Sequence, residues 1–250
     1  MQDIKTLYNS LGKEEIYDPS ILTVWPYKKT IDVVEGIQLN LSNMAGGFPF
    51  MFNNILFKNS EVLYLCGEFS NRDEHCLNIQ KELYNTTSGY GAKKFIKVKY
   101  LKDIRKDFNE FRLDWMLYVI WEKCKGCEAF RNKLKEIPNN VILVEETTTD
   151  NSGSNTIWGC SNKELVNVRK AKEQEIIKNN TNIKKKCLND LINIEINKIR
   201  NVGIYVGQNN MGKILMLCKK CIEQNIEPPI NKDILNNKNI YIFGKKIELL

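Results

Sequence analysis

Two carboxylates stand where this chain could do acid–base chemistry. Glu61 follows a turn at Asn59 and opens a run with helical spacing, whereas Asp150 comes where the apolar run ending at Val144 passes into a polar loop. A carboxylate so placed can move a proton or stabilise a developing positive charge. Glu61 also has an ordinary explanation, because an acidic residue in the first turn of a helix favours the helix dipole without any further role.

Two other motifs contain groups that bind nucleotides. Trp158-Gly159 lies in the loop after Asp150, where an indole ring can stack on a base. Gly207-x-x-x-x-Gly212-Lys213 has the outline of a phosphate-binding loop, but Ile214 stands where the Ser or Thr that binds magnesium is needed, and no second NTPase motif follows. A glycine-rich turn that leads into a helix still offers backbone N–H groups to a phosphate.

Metal and thiol chemistry have weaker signals. Cys124-x-x-Cys127 and Cys218-x-x-Cys221 each have the spacing of a zinc half-site, but the two pairs are far apart in the sequence and fall in predicted helices. Buried thiols that pack in a core are the favoured interpretation. His75 is the only histidine, which excludes a histidine-rich site, and we expect it at the surface. We predict no metal and no cofactor.

Mainly helical elements with a few short strands must position these residues. Apolar spacing predicts helices that begin near Glu61, with Ser60 as the N-cap, and over residues 107–125 and 211–225. Val141–Val144 has the composition of a buried strand. Short strands with turns are expected over 36–60, and a hairpin near 240–244. The fold class is therefore α+β, in one compact domain.

The pattern divides the chain into a catalytic region with two flanking parts. Residues 1–35 are expected to form an N-terminal extension, 36–225 the catalytic domain and 226–250 a C-terminal tail. Within the domain, 161–206 contains ten Lys or Arg against five acidic residues, which is most of the net charge of +7. We expect one or two polar helices there, inserted at the surface. Such a segment suits nucleic acid, although the abundance of Asn, Ile and Lys would also raise the charge without any binding role.

Several classes of protein are excluded by composition. The most apolar stretch, Met116–Trp121, is six residues long, whereas a membrane span needs about 18. The N-terminus has no apolar segment of a secretory signal, and eight cysteines in 250 residues are too few for a disulfide scaffold. We therefore expect an intracellular, cytoplasmic protein with reduced thiols.

Five motifs follow one another in an order that marks a known enzyme family. They are Leu41-Ser42-Asn43 with Phe48-Pro49-Phe50, Ser60-Glu61, Val144-Glu145 to Asp150, Trp158-Gly159, and Gly207-x-Asn209-x-Met211-Gly212-Lys213-x-Leu215-Met216. Together they resemble the NADAR (YbiA-like) family, over roughly residues 36 to 222. The last motif is the most specific of the five.

The resemblance implies a compact, mainly helical α+β fold and a metal-independent N-glycosidase that hydrolyses a ribosyl C1′–N bond. Glu61 would stabilise the positive charge on the sugar or activate water, supported by Asp150. The substrate-binding residues that it implies are Asn43, Phe48, Trp158, Gly159, Asn209, Met211 and Gly212. Asn43 and Asn209 would bond ribose or phosphate, Trp158 would stack on the base, and the N–H groups around Gly212 would hold a phosphate.

The chain departs from the family pattern at several positions. Val62 stands in place of a histidine, and Leu65 and Glu68 stand in place of a glutamine and a lysine. The family's aspartate matches Asp150 when counted from Glu145 and Asn155 when counted back from the Trp-Gly pair. Asp150 is preferred because an amide cannot do the chemistry of a carboxylate. The segment 161–206 lengthens the usual link to the last motif.

Three functions remain open at this point. Removal of ADP-ribose from guanine in nucleic acid is preferred, because the basic segment 161–206 favours a polyanion. A small-molecule N-glycosidase acting on phosphorylated ribosylaminopyrimidines of the riboflavin pathway is the second. A catalytically silent module that binds ADP-ribose is the third, because a glutamine and a lysine of the family are missing here.

Overall fold

A computed structural model describes residues 3–27, 33–147 and 155–249, which form a mainly helical α+β fold, as predicted. The α-helices are α1 (Ile4–Ser10), α2 (Ser60–Glu68), α3 (Glu74–Tyr84), α4 (Gly89–Gly91), α5 (Phe108–Gly126), α6 (Glu128–Lys135), α7 (Asn155–Trp158), α8 (Lys163–Asn179), α9 (Lys185–Lys198), α10 (Asn210–Gln224) and α11 (Lys232–Asn237). A π-helical turn (Ala92–Ile96) and a 3-10 helix (Lys97–Asp103) join α4 to α5.

The strands are short and pair two at a time. They are β1 (Glu15–Tyr17), β2 (Val24–Tyr27), β3 (Val33–Val34), β4 (Ile37–Gln38), β5 (Phe50–Phe52), β6 (Ile55–Phe57), β7 (Ile142–Glu145), β8 (Tyr205–Gly207), β9 (Tyr241–Ile242) and β10 (Lys245–Lys246). Backbone contacts divide the chain into two units. Apart from Met1, the first contains Ser10–Leu39 and Pro138–Lys213, and the second contains Gln2–Asn9, Asn40–Ile137 and Ile214–Leu250.

The first unit is organised by β7, the buried strand that the sequence predicts. β2 pairs with it in parallel, with Val24 opposite Ile142, and β1 pairs antiparallel with β8. Single bridges from Glu146 to Cys160 and from Ser161 to Val206 connect the two pairs. Residues of the expected N-terminal extension thus supply β1, β2 and β3 of this unit.

The basic segment forms the two polar helices that were predicted, α8 and α9. Asn162 caps α8, since its side chain accepts a hydrogen bond from the Leu165 amide at 3.0 Å. Leu165 packs into a small core with Tyr17 and Val144. Arg169 pairs with Glu146 and also donates to the Ile199 carbonyl at 3.0 Å, so this cation is structural. Most other cations of the two helices face solvent.

The second unit is built on α5, which confirms the helix predicted over 107–125. Trp115 is fully buried on α5 and donates its indole N–H to the Tyr64 carbonyl of α2 at 3.0 Å. The hairpin of β5 and β6 contacts the same helix through Phe52, whose ring lies edge-on to Tyr118. The C-terminal hairpin predicted near 240–244 is present as β9 and β10.

One local prediction was wrong. Asn59, and not Ser60, is the N-cap of α2, and its side chain accepts the Val62 amide at 3.1 Å. The Ser60 hydroxyl instead donates to the Asn43 carbonyl at 3.2 Å, a tertiary contact that a local cap signal does not contain.

None of the helices that the structure describes combines the length and the apolar character needed to cross a bilayer.

Candidate active site

The first turn of α2 places Glu61 beside Asn43. Both the Glu61 amide and the Ser60 hydroxyl donate to the Asn43 carbonyl, at 3.1 and 3.2 Å. Two donors on one carbonyl fix the loop that carries the Leu-Ser-Asn motif against the start of the helix. The structure therefore brings together the two motif residues that the sequence predicts for one site.

The Glu61 carboxylate is buried and held from both sides. Its side chain is only 5% exposed, and its Oε2 accepts a 2.8 Å hydrogen bond from Asn43 Nδ2. Lys93 Nζ lies 3.6 Å from Oε1. The same Asn43 amide contacts Met116 Sδ of α5 at 3.6 Å, which fixes its orientation. A carboxylate held so firmly can stabilise a nearby cation at little reorganisation cost.

A close backbone approach sets the position of Lys93. Gly89 begins α4, and a Cβ atom there would lie 3.0 Å from both Glu61 Cβ and Met44 Cα. The Ser88 side chain caps α4 by accepting the Gly91 amide at 3.0 Å. The π-helical turn follows at once and presents Lys93 to the carboxylate. A side chain at position 89 would push this turn away from α2.

A second buried carboxylate lies two turns further along α2. Glu68 is 4% exposed, and its Oε1 accepts a 2.6 Å bond from Lys97 Nζ. Its Oε2 is buried and finds no hydrogen-bond partner among the described residues. Burial raises the pKa of Glu68, Lys97 opposes that rise, and the negative charge of Glu61 adds to it. Tyr64, between the two acids, has a pKa raised by burial and by both carboxylates.

Phe48 lies in a buried aromatic contact of the second unit. Its ring meets Phe130 edge-on, with centroids 5.4 Å apart. The ammonium of Lys123 lies 4.1 Å from the Phe130 ring centre and 5.4 Å from that of Phe48. Lys123 is fully buried with no hydrogen-bond partner in the part of the chain described, and burial lowers its pKa to about 8.

In the first unit, Asn209 and Gly159 are organised around β7. Asn209 Nδ2 donates to the Leu143 carbonyl at 2.8 Å, and its Oδ1 accepts the Glu145 amide at 3.0 Å. The Asn209 amide in turn donates to the Gly159 carbonyl at 3.2 Å. Both ends of the Asn209 side chain are thus used to hold the strand, and the residue is fully buried.

Two glycines of these motifs are required by close contacts. A Cβ at Gly159 would lie 2.3 Å from the Glu145 carbonyl oxygen, and a Cβ at Gly212 would lie 2.3 Å from the Leu143 carbonyl oxygen. Both distances are too short for any other residue. The Trp-Gly pair and the last motif are therefore matched to one strand, although they are far apart in the sequence.

The other predicted residues of this unit differ in exposure. Trp158 ends α7 and is half-buried, whereas Met211, in the first turn of α10, is 1% exposed. Asp150 lies outside the described residues, and its alternative, Asn155, begins α7.

Lys213 does not act as the lysine of a phosphate-binding loop. Its side chain is fully buried, and Nζ donates to the carbonyls of Ser10 and Lys13, both at 2.9 Å. The Glu15 carboxylate lies 3.3 Å away. The ammonium therefore holds the segment before β1 within the first unit, which agrees with the sequence argument against an NTPase.

Seven of the eight cysteines are thiols within the packed core. All eight are free, and only Cys187 is exposed. Cys218 contacts Cys124, and burial raises its pKa well above the usual value. Within the described ranges no three Cys, His, Asp or Glu side chains are placed to hold a metal ion. His75 is at the surface, as expected, with Nε2 3.2 Å from Asp103 Oδ1.

A scan against protein-family models gives no match for this chain, and a search of the curated proteins gives none either.

Sequence reasoning missed the cations that face the α2 carboxylates. Lys93 and Lys97 are four residues apart in a segment that reads only as basic, and nothing local connects them with Glu61 and Glu68. Glu68 itself was a usable signal, since an acid that is buried on a helix needs a cation from elsewhere. Lys123 gave no signal, because a lysine near the end of a helix is usually exposed.

Proposed function

We propose that this protein is an N-glycosidase that hydrolyses a ribosyl C1′–N bond, with ADP-ribose attached to guanine in nucleic acid as its substrate. The observation that carries the proposal is the Glu61 carboxylate, which is buried at the start of α2 and held by Asn43 and Lys93. The order of the five motifs, which resembles the NADAR family, supplies the substrate class.

The chemistry requires a fixed negative charge. Breaking a ribosyl C1′–N bond leaves positive charge on the sugar, as in glycoside hydrolysis. Glu61 supplies that charge beneath C1′ or takes a proton from the attacking water. Asn43 orients the carboxylate, and the ammonium of Lys93 lies 3.6 Å from its other oxygen. Asp150 stays in the proposal as the supporting carboxylate implied by the resemblance.

The resemblance supplies the recognition residues in this proposal. Trp158 stacks on the base beside Gly159, and the amides of Met211 and Gly212, in the first turn of α10, bind a phosphate. Because the structure uses both ends of the Asn209 side chain to hold β7, we assign Asn209 a positioning role in place of a contact with ribose. Phe48, whose ring packs against Phe130, supports the loop that carries Asn43.

The polyanionic substrate is supported by α8 and α9. These helices present mostly exposed lysines, including the run Lys184–Lys186, and few of these cations are paired with acids. Contacts to a phosphate backbone release counterions, so binding should weaken steeply as salt rises. The free thiols favour a reducing compartment, and we place the reaction in the cytoplasm.

The test is a single-turnover assay on single-stranded DNA with ADP-ribose on guanine. Wild type should release ADP-ribose, and Glu61→Gln should be slower by at least about 100-fold because it loses the charge. Glu82→Gln is the matched control, since Glu82 is an exposed helical glutamate that also pairs with a lysine. It should keep the wild-type rate.

The other outcomes identify the alternatives. Hydrolysis of ribosylaminopyrimidine phosphates with little salt dependence would replace nucleic acid by a small molecule as substrate. Tight binding of ADP-ribose without turnover of either substrate would make the chain a binding module. A Glu61→Gln variant with a near-normal rate would remove Glu61 from the mechanism.

A further inference from the structure

We propose that Glu68, held by Lys97, is the acid that protonates the departing base in the reaction assigned above to Glu61. This role rests on the proposed function. It divides the two tasks of glycosidic cleavage between two carboxylates of one helix.

The two carboxylates share a face of α2 and differ in how they are bonded. They are seven residues apart, which is about two helical turns or roughly 10 Å along the axis. Both are buried. Glu61 accepts a hydrogen bond from Asn43 at one oxygen and faces Lys93 at the other, so both of its oxygens have a partner. Glu68 faces Lys97 at one oxygen only, and its second oxygen has no partner among the described residues.

A buried carboxyl oxygen without a donor is better accommodated as a hydroxyl than as part of an anion. The carboxylate form leaves charge on Oε2 that no donor of the described residues meets, whereas the acid form places a proton there that can be given away. The neighbouring charged groups shift the pKa of Glu68 in opposite directions. Glu61 favours the protonated form, whereas Lys93 and Lys97 favour the charged form. Burial is the largest influence and raises the pKa of Glu68.

The proposed reaction returns every proton that it uses. The Glu68 hydroxyl gives its proton to the base nitrogen as the C1′–N bond breaks and the bonding pair passes to nitrogen. Glu61 stabilises the ribosyl cation. Water then forms the C1′–O bond, and its proton returns to the Glu68 carboxylate, so that no other reactant is needed.

A purely structural role is the alternative, because the Glu68–Lys97 pair also joins α2 to the 3-10 helix. The two roles differ in the pH dependence of the rate. A general acid must be protonated to act, so the rate constant of wild type should fall at alkaline pH as Glu68 ionises. If the Glu68–Lys97 pair were only structural, its removal would change the stability of the fold and would leave the shape of the pH–rate profile unchanged.

The experiment measures single-turnover rates against pH for wild type, Glu68→Gln and Lys97→Met on the same guanine-linked substrate. Glu68→Gln should lose about 100-fold or more near neutral pH and should no longer show the alkaline fall. Lys97→Met should keep the fall but move it to higher pH, since the cation that lowers the pKa of Glu68 is gone. Glu82→Gln, whose carboxylate faces Lys99 at the surface, should match wild type.

Each result supports or overturns the role of Glu68 as the general acid. If Glu68→Gln does not fold, the Lys97→Met profile answers in its place. An alkaline fall that stays unmoved in the variants overturns the role of Glu68 and leaves that of Glu61 intact. A wild type without turnover on either substrate class overturns the proposed function, and the role of Glu68 with it.

Discussion

Replacing Lys123 by Met should stabilise the fold at pH 7. The ammonium is fully buried, and burial lowers its pKa from 10.5 to about 8. A shift of that size corresponds to a cost of about 3 kcal/mol for keeping the charge at neutral pH. The contacts with the Phe48 and Phe130 rings return about 1–2 kcal/mol as cation–π attraction. Met fills the same space and contacts aromatic rings well, so we expect a gain of about 1–3 kcal/mol.

The gain should depend on pH with a definite sign. Below pH 8 both the folded and the unfolded chain hold the Lys123 proton, and the cost is constant. Between the folded pKa of about 8 and the unfolded value of 10.5, only the unfolded chain holds it, so wild-type stability rises relative to the variant by about 1.4 kcal/mol per pH unit. The advantage of Lys123→Met should therefore shrink above pH 8 and vanish near pH 10.

Urea unfolding followed by far-UV circular dichroism measures this difference. Comparing the two proteins at each pH cancels the contributions of the buried tyrosines and thiols, whose pKa values burial raises in both folded proteins. Lys125→Met is the control, because Lys125 is exposed and forms a surface ion pair with Glu122. It should change stability by less than about 0.5 kcal/mol at every pH. A Lys123→Met variant that is less stable at pH 7, or whose difference does not vary with pH, would refute the reasoning.

Two further predictions concern the first unit. Lys213→Met should lower the free energy of unfolding by about 3 kcal/mol, because the Ser10 and Lys13 carbonyls and the Glu15 carboxylate lose their cation; a loss of less than about 1 kcal/mol in urea unfolding would contradict this. In the folded protein, one thiol should react quickly with Ellman's reagent, and Cys187→Ser should abolish that phase, since Cys187 alone of the eight cysteines is exposed; a fast phase that persists in the variant would show that a core thiol is accessible.

Strongly periodic elements could be predicted from the sequence. The apolar spacing of α5 and the composition of β7 each depend on one segment packing on a core, and both were found in place. The N-cap of α2 was missed by one residue, because Asn59 and Ser60 are both good caps and a tertiary bond to Asn43 decided between them. Local signals do not contain that information.

The candidate site could be predicted only in part for the same reason. Glu61 and Asn43 were named from their motifs, and the structure brings them together. Lys93 and Lys97 come from a π-helical turn and a 3-10 helix whose facing partner no spacing rule gives. Lys213 shows that a familiar spacing alone does not identify a phosphate ligand, because its partners are carbonyls about 200 residues away.

The pairing of β1 with β8 bears on how the chain is made. Glu15 lies opposite Gly207, so β1 leaves the ribosome about 190 residues before its partner. At roughly 5–20 residues per second, that interval is on the order of 10–40 seconds. β2 is likewise synthesised well before its partner β7, since Val24 pairs with Ile142. During synthesis these strands have exposed, unpaired edges, so the first unit can be completed only after the residues up to Lys213 have emerged.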